Sequence, residues 1–244
     1  MGLLEDKTIV VVGGTGNVGS FIVSELLEQG ARVVVPSRSE DKIQDFRSHI
    51  GNIEKSKLDR LYTFKGNLSD EGEAGRMLDR ITKEVGKPDA AISSLGYFIP
   101  APSLLTVDIG DLHRVMDGYL TAHFKVARTF VPFFRKHGGT FVFINGPLAF
   151  EVWDGSGLVS IATAAQHLLF KSLVKELDGT GAQVVELVNY AYIRNRQTQP
   201  SSSISGEAVG AYFAWLVSDA SGNQHGKSIH LRSPEQVQEI GQII

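Results

Sequence analysis

An alternation constrains this chain more than any single residue does. Short β-branched runs (KTIVVV, ARVVV, RLYTF, DAAIS, GTFVFI, AQVVELV and KSIHL) are separated by stretches of helical periodicity from one end to the other. Apolar runs with little polar alternation fit strands buried on both faces. Helices between such strands imply parallel βαβ units with right-handed crossovers, and helices covering both faces of one sheet. Between the first two runs, NVGSFIVSELLEQG places Val18, Phe21, Ile22 and Leu26 at helical spacing before Gly30 stops the pattern. Longer helices are predicted over 111–136 and 157–177. No repeat or linker divides the 244 residues, so one α/β domain over 1–244 is expected, a doubly wound parallel sheet of about seven strands. The low-complexity patch QTQPSSSISG reads as a mobile loop.

Where the first run meets its helix, TIVVVGGTGNVGSFIV holds Gly13, Gly16 and Gly19 in G-x-x-G-x-x-G spacing. Glycines permit the tight turn and let backbone N–H groups approach a pyrophosphate at the positive end of a helix. Any βα turn can be glycine-rich. The position between first strand and first helix gives this one its weight and makes the sheet Rossmann-type. The turn residues expected to contact a dinucleotide are Gly13, Thr15, Gly16, Asn17, Val18 and Gly19. The second strand ends in VVVPSRSEDK, where a carboxylate would hold the ribose 2′-hydroxyl of NAD. Ser37 and Arg38 stand there instead. A cation suits a 2′-phosphate, so NADP(H) is favoured over NAD(H), although a solvated arginine beside a helix start would have the same sequence.

Composition removes whole classes. A formal net charge of −3, with no long run of either sign, argues against a partner held mainly by electrostatics, nucleic acid above all. Zero cysteines exclude disulfides, thiolate metal sites and thiol nucleophiles. His113, His123 and His137 show no ligand pairing with nearby acids, so no metal is expected. The start MGLLEDKTIVVV carries acids ahead of an apolar run too short for a signal peptide, and Asp6 breaks a myristoylation pattern. No apolar run approaches a membrane span. The expectation is a cytoplasmic protein with a small-molecule substrate or ligand, and neither nucleic acid nor membrane as partner.

With these parts in this order, the chain resembles the short-chain dehydrogenase/reductase family over essentially its whole length. GNLSD resembles the segment after the third strand, and the resemblance implies adenine contacts from Asn67 and Leu68. SSLG, residues 93–96, stands where the family has Asn-Asn-Ala-Gly, so Ser94 and Gly96 would line the cofactor site. NYAYIRN stands at the family's Pro-Gly turn, with Tyr190 and Ala191 in place of those two, and Ile193 would meet the nicotinamide amide. GNQHGKSIHL resembles the last turn and strand. The resemblance also implies a homodimer or homotetramer, paired through the two long helices.

The family's proton-transfer set does not carry over. Its serine falls on Gly146, its tyrosine on Ser160, its lysine on Ala164 and its helix asparagine on Tyr119. A serine hydroxyl has no useful acidity near neutral pH, and alanine cannot replace a cation. Surrogate donors by position are Tyr97, Tyr119, Asn145, Tyr190 and Tyr192, each of which could equally be a rim or core residue with its polar atoms satisfied. Glu151, Trp153 and Asp154 fall where the family lines its substrate pocket, and His167 reads as a packing residue. The 157–177 helix is expected to pack through Ile161, Ala165, Leu168 and Leu169. Two functions stay open: an oxidoreductase on a small carbonyl or alcohol with a rearranged proton donor, or a silent NADP(H)-binding sensor or scaffold. The glycine spacing also resembles the NmrA-like redox-sensor branch, which lacks the tyrosine–lysine pair.

Overall fold

The computed structural model describes residues 2–50, 55–68, 70–190 and 204–241. Seven strands, β1 (Thr8–Val12), β2 (Arg32–Ser37), β3 (Leu61–Lys65), β4 (Ala90–Ser93), β5 (Gly139–Asn145), β6 (Ala182–Asn189) and β7 (Ser228–Leu231), form one parallel sheet. Their order is β3-β2-β1-β4-β5-β6-β7. The winding reverses between β1 and β4, and the crevice beyond the carboxyl ends of those strands is where such sheets bind ligands.

Nine helices complete the described fold: α1 (Asn17–Glu28), α2 (Glu40–His49), α3 (Lys55–Leu58), α4 (Glu71–Glu84), α5 (Ile109–Met116), α6 (Ala122–His137), α7 (Gly157–Glu176), α8 (Gly206–Leu216) and α9 (Pro234–Gly241). Side-chain oxygens of Ser39, Asp70, Asp108 and Ser205 cap α2, α4, α5 and α8, each accepting from a first-turn N–H. The sheet is buried on both faces. Ile9 and Val11 of β1 pack with Ile22 and Leu26 of α1 and Val209 and Phe213 of α8, while Val10 and Val12 face Phe130 and Phe134 of α6 and Phe170 of α7. That alternation is the period-2 geometry of a strand covered on both sides. Helices α1 and α8 approach closely because α8 carries Gly206 and Gly210; a Cβ on Gly206 would lie 2.3 Å from the Phe21 ring.

Four sequence expectations need correction. The helix expected over 111–136 begins at Ile109 and is interrupted by a π-helical turn, Asp117–Thr121, between α5 and α6. The core face of α7 is Leu158, Val159, Ala162, Thr163, Gln166 and Phe170. Ile161 and Leu168, expected to pack inward, are 46% and 62% exposed. Apolar residues surround most of α7, so its periodicity names no single face, and contact with α5, the π-helical turn and the sheet chooses one. Also contrary to expectation, α7 is long and apolar enough to cross a membrane by length and composition. Its inner face packs into the domain core instead. Finally, the QTQPSSSISG patch lies mostly outside the described residues, but its end is built structure: Ile204 is fully buried and Ser205 caps α8.

Candidate functional site

At the winding reversal the first helix begins without a side-chain cap. Gly16 is the N-cap of α1 and offers no side-chain oxygen, so no side chain caps the first-turn N–H groups of Asn17, Val18 and Gly19, and these residues border open space. The turn is compact because its glycines have no Cβ. Gly13 has φ +85°, and a Cβ there would fall 2.0 Å from the Ser94 carbonyl oxygen; one on Gly19 would fall 2.2 Å from Gly13 O. Ser94 N–H donates to Val12 O at 2.8 Å, which seats the β4 exit beside the turn.

The open space is a cleft of about 510 Å³, large enough for part of a dinucleotide. It brings together Gly16, Asn17, Val18, Gly19, Ser94, Gly96, Tyr97, Tyr119 and Asn145 from the sequence expectations, along with Gly146. Gly13 and Thr15 belong to the same turn behind this lining. Ser37, Arg38, Asn67, Leu68 and Tyr190 lie outside it, and Ile193 and Tyr192 fall outside the described residues. Phe98, Ile144, Leu187, Asn189, Val209 and Phe213 also line the cleft. Their only signal in sequence is a place at or near the carboxyl end of a strand or on α8, which becomes informative once α8 is known to cross α1.

The candidate donors among the described residues are all engaged. Tyr97 Oη–H donates to Arg114 O and Tyr119 Oη–H donates to Tyr97 O, each at 2.6 Å. Burial pushes the Tyr119 phenol up to about 12. Asn145 Nδ2 donates to Glu186 Oε1 (2.8 Å) and Thr163 O (3.2 Å), while its Oδ1 accepts from Gly146 N–H. Tyr190 Oη lies 3.1 Å from His230 Nδ1, with Arg232 over its ring, on the β7 side of the sheet. Ser160 is buried on α7, and its hydroxyl lies 3.1 Å from Ser156 Oγ and 3.3 Å from Glu151 O. Ala164 follows one turn later. Trp153 Nε1–H donates to the exposed Glu151 carboxylate.

A model of the short chain dehydrogenase family matches residues 7–202. The chain belongs to the short-chain dehydrogenase family. Among curated relatives, an uncharacterized oxidoreductase of Staphylococcus aureus (strain MRSA252) is 24% identical over 188 residues, covering 77% of this chain and 78% of the relative. Among solved structures, a short-chain type dehydrogenase/reductase from Mycobacterium ulcerans superposes with a TM-score of 0.84 at 19% identity, covering 96% of this chain and 91% of its own. ElxO with NADP bound gives 0.81 at 16% identity, covering 92% and 96%. At these identities the likeness to solved structures is one of fold.

Two buried polar clusters of this short-chain dehydrogenase were not legible in the sequence. Glu186 on β6 is fully buried, and its carboxylate meets Asn145 Nδ2, His167 Nδ1 at 2.7 Å and Ser228 Oγ at 2.6 Å. His123 on α6 is also fully buried, with Nδ1 2.7 Å from Ser93 Oγ and Nε2 3.2 Å from Leu95 O. Burial holds its imidazole down at about 4, so the ring is neutral at physiological pH.

Proposed function

We propose that this short-chain dehydrogenase binds NADP(H) in the cleft, and that its family's usual proton-transfer residues are replaced, making turnover of ordinary ketones and aldehydes slow or absent. The observation that carries the binding half is the uncapped, glycine-flanked start of α1 opening into the cleft. Gly16, Asn17, Val18 and Gly19 would hold the pyrophosphate, and Ser94 and Gly96 would face the nicotinamide half. Asn67 and Leu68 would meet the adenine, and Ile193 the carboxamide. Bound there, the cofactor would supply hydride, and every proton would come from the chain or from water. Arg38 supports the phosphorylated cofactor: it is exposed and has no ion pair among the described residues. Glu40 and Asp41 in the first turn of α2 work against it, so the preference is modest.

Chemistry supports the second half. None of the six tyrosines in the chain is followed four residues later by lysine. Residues 146–170, which span the β5 exit and most of α7, contain neither tyrosine nor lysine. With Gly146, Ser160, Ala164 and Tyr119 at the family's positions, the hydroxyls of Tyr97, Tyr119 and Ser160 and the Asn145 amide are already bonded inside the protein. That commitment favours a second reading beside the enzyme, a protein that reports NADP(H) by binding it. A cytoplasmic location fits either role, since both draw on a cofactor pool. A homodimer or homotetramer joined through α6 and α7 is part of the proposal, with exposed Phe124, Ile161 and Leu168 available for it. Light scattering that finds only a 26.5 kDa monomer at micromolar concentration overturns it.

The deciding experiment is calorimetric titration of NADPH and NADH, followed by oxidation of bound NADPH with a panel of ketones and aldehydes. Binding of neither cofactor overturns the reading, and tighter NADH overturns the preference. Arg38→Ala should weaken NADPH about tenfold more than NADH, because only NADPH carries the 2′-phosphate. Loss of acid–base assistance lowers rates by about 10²- to 10⁴-fold. Turnover in the ordinary range, about 1 to 10³ s⁻¹, therefore overturns the replaced-set reading. In that event Tyr97, Tyr119, Tyr190 and Tyr192 are changed to Phe one at a time to find the donor.

A further inference from the structure

We propose that His123 is a positioning residue for the cleft, a buried tie that holds the β4 exit, Ser94–Gly96, against the glycine turn. The inference rests on the cofactor reading above and concerns what keeps that site formed.

His123 lies on α6 just past the π-helical turn and is fully buried. Its two nitrogens reach two points of one short stretch, Ser93 at the end of β4 and Leu95 two residues on. A carbonyl oxygen only accepts, so Nε2 carries the proton and donates to Leu95 O. Nδ1 then accepts, and the Ser93 hydroxyl donates to it. The neutral ring therefore supplies one donor and one acceptor, and both are used. Between these ties sits Ser94, whose N–H donates to Val12 O and whose carbonyl oxygen lies where a Cβ on Gly13 would go. Just beyond them Gly96, at φ +138°, packs on the ring of Tyr119, one turn before His123. The β4 exit is thus held from one side by β1 and the glycine turn and from the other by the start of α6.

The serines at 93 and 94 are too short to span from strand to helix, and the imidazole covers that distance. An apolar side chain of equal volume would leave the buried Ser93 hydroxyl and the half-buried Leu95 carbonyl without these partners, which favours a displaced loop. Since Ser94, Leu95 and Gly96 all line the cleft, displacement would be read as lost cofactor affinity.

The test compares the parent with His123→Phe, His123→Gln and Phe130→Leu, a buried truncation farther along α6. Calorimetry gives the NADPH Kd, and amide hydrogen exchange of residues 94–96 is followed without cofactor. His123→Phe should weaken NADPH about tenfold and speed exchange by a similar factor, the scale of a lost buried hydrogen bond. His123→Gln keeps a donor near the Nε2 position and should stay within about threefold of the parent. Phe130→Leu should lower the melting temperature while leaving Kd and exchange at 94–96 unchanged. If His123→Phe does not fold, Ser93→Ala, which removes only the bond at Nδ1, takes its place, with an expected loss of about threefold. Parental Kd and exchange in the variant read, or equal changes in Phe130→Leu, overturn the proposal. A parent that binds neither nicotinamide cofactor overturns the cofactor reading and the cofactor role of His123 with it. The exchange measurement then still decides whether the histidine fixes the loop.

Discussion

The two walls of the cleft are built on different principles. On one side, the glycine turn and the β4 exit are defined by backbone: missing Cβ atoms, N–H groups at a helix start and carbonyls in close contact. On the other side, the β5 exit, the end of β6 and α8 contribute side chains; there Gly146 has open space around it, while Ser160 of α7, outside the lining, turns its hydroxyl back onto Glu151 and Ser156. Backbone recognition survives substitution wherever a Cβ fits, because almost any residue presents the same N–H. Proton transfer depends on a few side chains and disappears when they change. A chain can therefore keep the first wall and lose the function of the second.

The sharpest way to break this contrast is Gly13→Ala. The new methyl would sit 2.0 Å from Ser94 O at a φ of +85°, and should cost about 4 kcal/mol or prevent folding, measured as the midpoint of urea unfolding. A stable variant that binds NADPH like the parent would show that the turn tolerates what its geometry forbids. Next in size is Glu186→Ala, behind the second wall. It strips the common acceptor from Asn145, His167 and Ser228 and should cost about 3 kcal/mol. A loss below about 1 kcal/mol would mean that water replaces the carboxylate with little penalty.

Acid titration gives the third effect. The His123 pKa falls from an ordinary 6.5 to about 4 on folding, so the unfolded chain binds more protons between those values. Its contribution is full above pH 6.5 and declines as the pH drops toward 4. Unfolding at pH 7 and pH 5 should show the parent losing about 1–2 kcal/mol more than His123→Gln; equal losses would place the titration elsewhere. The smallest effect belongs to Gly146→Ala. No atom lies within 4 Å of the added Cβ and the backbone there is extended, so stability should stay within about 0.5 kcal/mol of the parent. A large loss would show that the β5 exit is as sterically closed as the glycine turn.

Local pattern was enough for the framework. The strand-like runs mark all seven strands to within two residues, and the glycine spacing marks the start of α1, because period, propensity and missing Cβ atoms act over neighbouring residues. The direction of α7 was not legible. Leu158, Ile161, Ala162 and Leu168 are all apolar, and only tertiary contact, with Ala101 and with Val115 of α5, decides that Leu158 and Ala162 turn inward while Ile161 and Leu168 stay exposed. The polar clusters lie further still from sequence. Thirty residues separate Ser93 from His123, and forty-two separate Glu186 from Ser228. Such pairs meet through strand order and helix docking, which no window of sequence contains. The sequence by itself determined a doubly wound sheet with a phosphate-type turn and without a Tyr-x-x-x-Lys pair. Tertiary structure alone decided which polar atoms are already spent, since that depends on where distant residues come to rest.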